Sequence, residues 1–277
     1  MALDSKIAFL GAGNMAGALI RGLIGTSTVT ANQVTASDPD TARLDALSSE
    51  LGIGTAASNP EALANADVVV LATKPQAFQL LLPDVKDALS PGALVISIAA
   101  GISTPLIERQ LPEGARVVRA MPNTPALVGA GATAISSGSN ATDTDLDLAE
   151  RLFASVGFVV RVPEEQLDAV TALSGSGPAY VFAFIEALRD ASVREGLPED
   201  VALELATQTV RGAARLLLES DESPELLRER VTSPGGTTRA GLDALEAGGF
   251  SEVVAGAVRA ATRRSAELRQ IAEDVAD

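Results

Sequence analysis

The chain has 277 residues, 47% hydrophobic and 21% charged, the makeup of a globular protein with room for one large domain or two ordinary ones. Its formal net charge of −15 sets it against a nucleic-acid backbone as partner. With no cysteine and no histidine, it has no disulfide, thiolate, imidazole base or imidazole metal ligand, so neither a triad hydrolase nor a metal site is expected.

The opening MALDSKIAFLGAG lacks a basic region followed by a signal-like apolar stretch. No apolar run approaches the roughly 18 residues of a membrane span, so a soluble cytoplasmic protein with no membrane partner is expected. Short strands are expected at 7–10, 34–37, 68–72, 94–98, 116–120, 132–136 and 158–162, several of them continuous apolar runs suited to burial on two faces. Helical periodicity falls between them at 15–23, 41–51, 77–89 and 143–156. This alternation predicts an α/β fold with a Rossmann-type doubly wound sheet, which the later strands extend in parallel. After residue 163 no strand pattern recurs, and long helices are expected at 178–195, 198–219 and 250–276. Small residues in stretches such as AGAVRAATRRSA let helices approach closely and suit a dimer interface. The helix propensity of alanine accounts for the same residues.

GAGNMAG, residues 11–17, follows the first strand and opens the first helix. Gly11 permits the tight turn, Gly13 lets a pyrophosphate approach the backbone, and Ala16 allows close helix–strand packing. The helix amino terminus then receives phosphate. Ser37 and Asp38 end the second strand, where a carboxylate accepts hydrogen bonds from a ribose and repels a 2′-phosphate. That favours NADH over NADPH, although Pro39 makes Asp38 an equally ordinary turn residue and Arg43 stands close enough to pair with a phosphate. The cofactor is therefore NADPH or NADH.

Three more strand ends point at the same crevice. ATKP contributes Ala72 and Lys74, SIAAG contributes Ala99, Ala100 and Gly101, and RAMPNTPA contributes Asn123, with Thr124, to orient a ring or carboxamide. With Gly11, Gly13, Asn14, Met15, Ser37 and Asp38 they make up the expected cofactor-binding set. The domains follow: dinucleotide binding over 1–163, and helical substrate binding and dimerisation over 164–277.

The helical part holds further glycine turns. LSGSGPAY places Ser176 and Gly177 ahead of Pro178 at a helix start, and TSPGGTT sets Ser233, Gly235, Gly236, Thr237 and Thr238 before another, entered from Thr238. Amide-rich helix starts in a region read as lacking cationic side chains suit a carboxylate ligand; simple capping explains each one singly.

These residues carry a resemblance. FLGAGNM, the KP after the third strand, SIAAG, RAMPNTPA, AVTALSGSGPAYVF, FIEAL and VTSPGGTTRAG, in that order, resemble the pyrroline-5-carboxylate reductase family over essentially the whole chain. The resemblance implies NADPH- or NADH-dependent reduction of L-Δ1-pyrroline-5-carboxylate, a small-molecule cyclic imine carboxylate, to L-proline, the last step of proline biosynthesis. It implies a helical domain interlocked with a partner's in a homodimer, in some members a ring of dimers such as a decamer. It also implies that Ser233, Gly235, Gly236, Thr237 and Thr238 hold the carboxylate, that Thr238 serves the ring nitrogen as the catalytic residue, and that Ser176 and Gly177 line the same region. Asp38 departs from the small or cationic groups of NADPH-using members, and Asp221 matches a family acid only loosely.

The missing residue types agree with imine chemistry. A substrate protonated at nitrogen accepts hydride without a strong protein acid, so positioning is the protein's main task. β-Hydroxyacid dehydrogenases share the outline but use a lysine in the second domain, and no lysine follows Lys86. A protein that binds NAD(H) without turnover, or a reductase of the six-membered cyclic imine acid, are the other readings of the same fold.

Overall fold

The structure, a computed structural model, describes residues 3–276. In chain order the elements are β1 (Ile7–Leu10), α1 (Asn14–Gly25), β2 (Val34–Ser37), α2 (Thr41–Leu51), β3 (Gly54–Thr55), α3 (Asn59–Leu63), β4 (Val68–Leu71), α4 (Phe78–Ala88), β5 (Leu94–Ser97), α5 (Thr104–Gln110), β6 (Arg116–Met121), β7 (Gly131–Ser137), α6 (Asp143–Ala154), β8 (Gly157–Arg161), α7 (Leu167–Val170), α8 (Gly177–Arg194), α9 (Glu199–Leu218), α10 (Pro224–Arg230), α11 (Thr237–Ala247) and α12 (Phe250–Ala276).

Every residue of β1, β4 and β5 is buried, because helices cover both faces of the sheet. Alternate side chains feed separate cores. Ile7, Phe9, Val68 and Val70 meet Leu19 and Leu23 of α1 and Phe153 of α6. Leu10, Val69 and Leu71 meet Phe78 and Leu82 of α4 and Ile107 of α5. Burying each Leu or Phe contributes about 1.5–3 kcal/mol, so the sheet is held from both sides.

The strand order is β3-β2-β1-β4-β5-β6-β7-β8. From β3 to β6 all pairs are parallel, and Phe9 stands opposite Ala36 on one side and Val70 on the other. The chain winds outward from β1 in one direction and then returns to wind in the other, so the reversal lies between β1 and β4. That is where a doubly wound sheet opens its ligand crevice.

The later strands do not simply extend the parallel sheet. β7 runs antiparallel to β6, with Val118 opposite Ser137. Residues 122–130 between them hold only a short 3-10 turn, and a parallel pair needs a crossover of about a dozen residues or more. α6 supplies such a crossover to β8, which lies parallel to β7. Short elements also escaped the sequence pattern. β3, α3 and α5 are too brief to show a period, although Ser103 caps α5 by accepting from the Leu106 amide and Pro105 stands in its first turn.

The chain divides into two compact units. One runs up to Ser176 and takes in the chain again from Ala260; the other is Gly177–Arg259. The expected division after residue 163 falls where the last strand ends. The latter half of α12 joins the sheet unit through specific bonds: Ser265 Oγ donates to Asp168 at 2.7 Å, and Gln79 Nε2 donates to the Val275 carbonyl at 2.6 Å.

The helical unit has almost no interior of its own. Among the described residues from 177 to 259, Ala202 and Ala206 are the only buried hydrophobic side chains. Phe182 is 61% exposed, Leu205 55% and Val253 68%. Apolar surface on that scale marks a face built to be covered. No helix among the described residues is long and apolar enough to cross a membrane.

Candidate active site

The first glycine turn is shaped by its neighbours. Gly11 has φ +104°, and a Cβ there would stand 2.7 Å from the Ala72 carbonyl oxygen, so no larger residue fits between β1 and β4. Gly13 is the N-cap of α1, and a Cβ there would meet nothing within 4 Å. No side chain caps α1 and no acid stands in its first turn, which leaves the positive end of a 12-residue helix facing that space. Ala16, 1% exposed, packs beneath it. Asn14 is exposed and Met15 half-buried at the same helix start.

Asp38 braces this turn. Its Oδ2 accepts from the Ala12 amide at 2.7 Å and its Oδ1 from the Asp40 amide at 2.8 Å. The turn role and the crevice role thus coincide in one carboxylate. Arg43 pairs with Asp40 at 3.1 Å, an exposed contact that engages it outside the turn. Ser37 is 2% exposed and its hydroxyl donates to Asn59, which in turn donates to Asp84. It supports the strand end from below.

The ends of β4 and β5 lie beside this turn in the strand order. Lys74 is exposed, its carbonyl accepts from the Ala77 amide at 2.9 Å, and its ammonium makes no hydrogen bond or ion pair among the described residues, so it is free to reach an anion. Thr73 beside it has a buried hydroxyl without a partner, a polar atom left for a ligand at the same edge; the ATKP stretch contained this signal. Ala72 packs on the core, and Ala99, 3% exposed, and Ala100 follow β5. Gly101, with φ +75°, instead faces α12: a Cβ there would lie 3.5 Å from Leu268. Asn123 does not extend its carboxamide to this crevice. Its Nδ2 donates to the Ser174 carbonyl at 3.0 Å and its Oδ1 accepts from the Ala132 amide at 2.8 Å.

An open helix start, a glycine whose substitution would fill the turn, and an orphaned hydroxyl fit a dinucleotide. Gly11, Gly13, Asn14 and Met15 would take the pyrophosphate, with Asp38 near a ribose and Thr73 and Lys74 along the next strand end.

The remaining expected residues belong to segments described on their own. Thr171–Gly175 forms a π-helical turn, after which Ser176 and Gly177 stand half-buried at the start of α8. In the helical unit, α10 ends and the chain turns through Ser233 to Gly236. Gly235 has φ +71°, and a Cβ on Gly236 would come within 3.2 Å of the Ser233 carbonyl oxygen, so the tight turn needs its glycines. Gly236 is the N-cap of α11, which begins at Thr237, one residue before the expected start. No side chain caps this helix and its first turn has no acid, while Thr237 and Thr238 are exposed. The helix start thus offers amides and hydroxyls together. A cation does stand next to them: Arg239 is engaged by Asp243 at 2.8 Å, which raises the arginine's pKa and lowers that of the carboxyl.

Comparison with known proteins matches this chain in two stretches and over nearly its whole length. A family model of pyrroline-5-carboxylate reductase dimerisation matches residues 164–268, and one of NADP oxidoreductase, coenzyme F420-dependent, matches residues 6–101. A pyrroline-5-carboxylate reductase of Methanosarcina acetivorans is 44% identical over 96% of this chain and 98% of its own. One of Pseudomonas aeruginosa is 44% identical over 96% and 97%. Among solved structures, a pyrroline-5-carboxylate reductase from Coxiella burnetii superposes with a TM-score of 0.92 at 42% identity, covering 96% of this chain and 99% of that one. The Plasmodium falciparum pyrroline carboxylate reductase, solved with NADP bound, gives 0.86 at 32% identity over 97% and 100%. The chain belongs to the pyrroline-5-carboxylate reductase family.

Proposed function

We propose that this protein reduces L-Δ1-pyrroline-5-carboxylate to L-proline with NADH or NADPH, the final step of proline biosynthesis. The observation that carries the reading is the start of α11: an uncapped helix behind a glycine turn, with Thr237 and Thr238 at its first positions. Amides there suit a carboxylate, and a hydroxyl beside them suits a ring nitrogen.

When bound, the reduced nicotinamide supplies hydride to the C=N carbon of the protonated imine. The residues of this chain have correspondingly modest work. Ser233, Gly235, Gly236 and Thr237 hold the substrate carboxylate, and Ser176 and Gly177 are the further substrate-binding residues that membership of the family implies. Thr238 holds the ring nitrogen, whose proton comes with the iminium, so the chain's lack of an imidazole is no obstacle. Asp38 disfavours a 2′-phosphate and turns the preference toward NADH.

The 164–268 match is to a dimerisation region, and the helical unit's exposed apolar faces suit a second copy of the chain. The assembly we infer is a homodimer, and rings of dimers such as a decamer are its natural extension.

Absorbance at 340 nm tests the reaction directly. Substrate-dependent decay with NADH or NADPH is expected. Folded protein that binds cofactor but oxidises neither in the presence of pyrroline-5-carboxylate would refute the reading.

A further inference from the structure

The segment before α8 departs from regular helix. Thr171–Gly175 is π-helical, and the Ser176 amide donates to the Thr171 carbonyl at 2.8 Å. A single π turn is uncommon and recurs at functional sites, where something outside the helix holds it.

Here the holding group comes from the end of β6. Asn123 is 8% exposed and spends both ends of its carboxamide: Nδ2 on the Ser174 carbonyl at 3.0 Å, Oδ1 on the Ala132 amide at 2.8 Å. Met121 adds contact, since a Cβ on Gly175 would stand 2.6 Å from its methyl carbon. Pro122 and Pro125 stiffen the backbone on either side of Asn123. Only a side chain with donor and acceptor at one tip can bridge these segments, and Asn is the short one.

We propose that Asn123 is a positioning residue for the substrate end of the site, acting through Ser174 to set where Ser176 stands, and making no contact with the cofactor. This rests on the function proposed above. Asn123→Asp is the informative change, because it keeps the acceptor for Ala132 and replaces the donor facing Ser174 with a repelling oxygen.

The test compares the full-length protein with N123D and N123A. In N123D, KM for pyrroline-5-carboxylate is expected to rise about tenfold, the equivalent of one lost hydrogen bond, with the Kd for NADH unchanged. Amide hydrogen exchange is expected to quicken over 171–176 in both variants and to remain as in the parent over 7–17. Unchanged KM in N123D overturns the proposal. So does a rise in NADH Kd by the same factor, or loss of the folded state in both variants, which would make the residue purely structural. If the parent protein itself does not turn over, the function is wrong, and the exchange measurement still decides whether Asn123 holds the turn.

Discussion

The Ala12 amide donates to Asp38 Oδ2 at 2.7 Å, so the acid that ends β2 is built into the glycine turn that follows β1. A residue expected to read the ribose is also a strut of the glycine turn. Asp38→Ser should therefore do two things at once. The ratio of kcat/KM for NADPH to that for NADH should rise about tenfold or more as a negative charge leaves the crevice. Affinity for NADH should fall as the turn loses its brace. Steady-state kinetics with both nucleotides checks the ratio and fluorescence titration with NADH checks the affinity; an unchanged ratio would show that Asp38 serves the turn alone.

Thr238, at the start of α11, makes a complementary prediction under the proposed function. Thr238→Ala should lower kcat/KM for pyrroline-5-carboxylate by about 10- to 100-fold, the range of a hydrogen bond to a charged group, and leave NADH binding as it was. Kinetics equal to those of the parent would remove Thr238 from the mechanism.

The pH dependence should belong to the substrate. No imidazole or thiol side chain exists in this chain to titrate near neutrality. As pH rises, the iminium loses its proton and becomes a poorer hydride acceptor, so kcat/KM should fall with the imine's own pKa. Comparing that profile with the imine's titration by NMR is the check, and a bell shape centred elsewhere would require a protein acid.

A buried ion pair ties the last strand-to-helix connection to the sheet. Arg119, with its side chain 2% exposed, pairs with Glu164 at 3.1 Å, and Glu164 also accepts from the Thr104 amide at 2.8 Å. Glu164→Ala should cost about 3–5 kcal/mol in urea unfolding, because it leaves a buried guanidinium uncompensated. Arg119→Met should cost less, since Glu164 retains Thr104 and the arginine's Nη2 already lacks a partner.

The sheet and the crevice were legible in the sequence because their signals are local. Continuous apolar runs, the GAGNMAG turn and the carboxyl ends of the next strands each occupy a few consecutive residues, and steric rules connect such stretches directly to strand and turn. The antiparallel turn into β7 was missed because apolar runs carry no direction; only the short connection at 122–130 decides it. Asn123 was misjudged in its contacts for a related reason. Its partners at Ser174 and Ala132 lie 51 and 9 positions away, and nothing in RAMPNTPA reveals the former.

By itself, then, the sequence determined the doubly wound fold, the helical second part, the chemistry excluded by absent histidine and cysteine, and the motif set of one reductase family. Only the tertiary structure decided which polar groups were already spent. Asp38 on the Ala12 amide, Ser37 on Asn59, Asn123 on Ser174 and Gly101 against α12 are relations between distant segments. A side chain's donors and acceptors are written in its chemistry, but their partners depend on which backbones folding brings within hydrogen-bond reach.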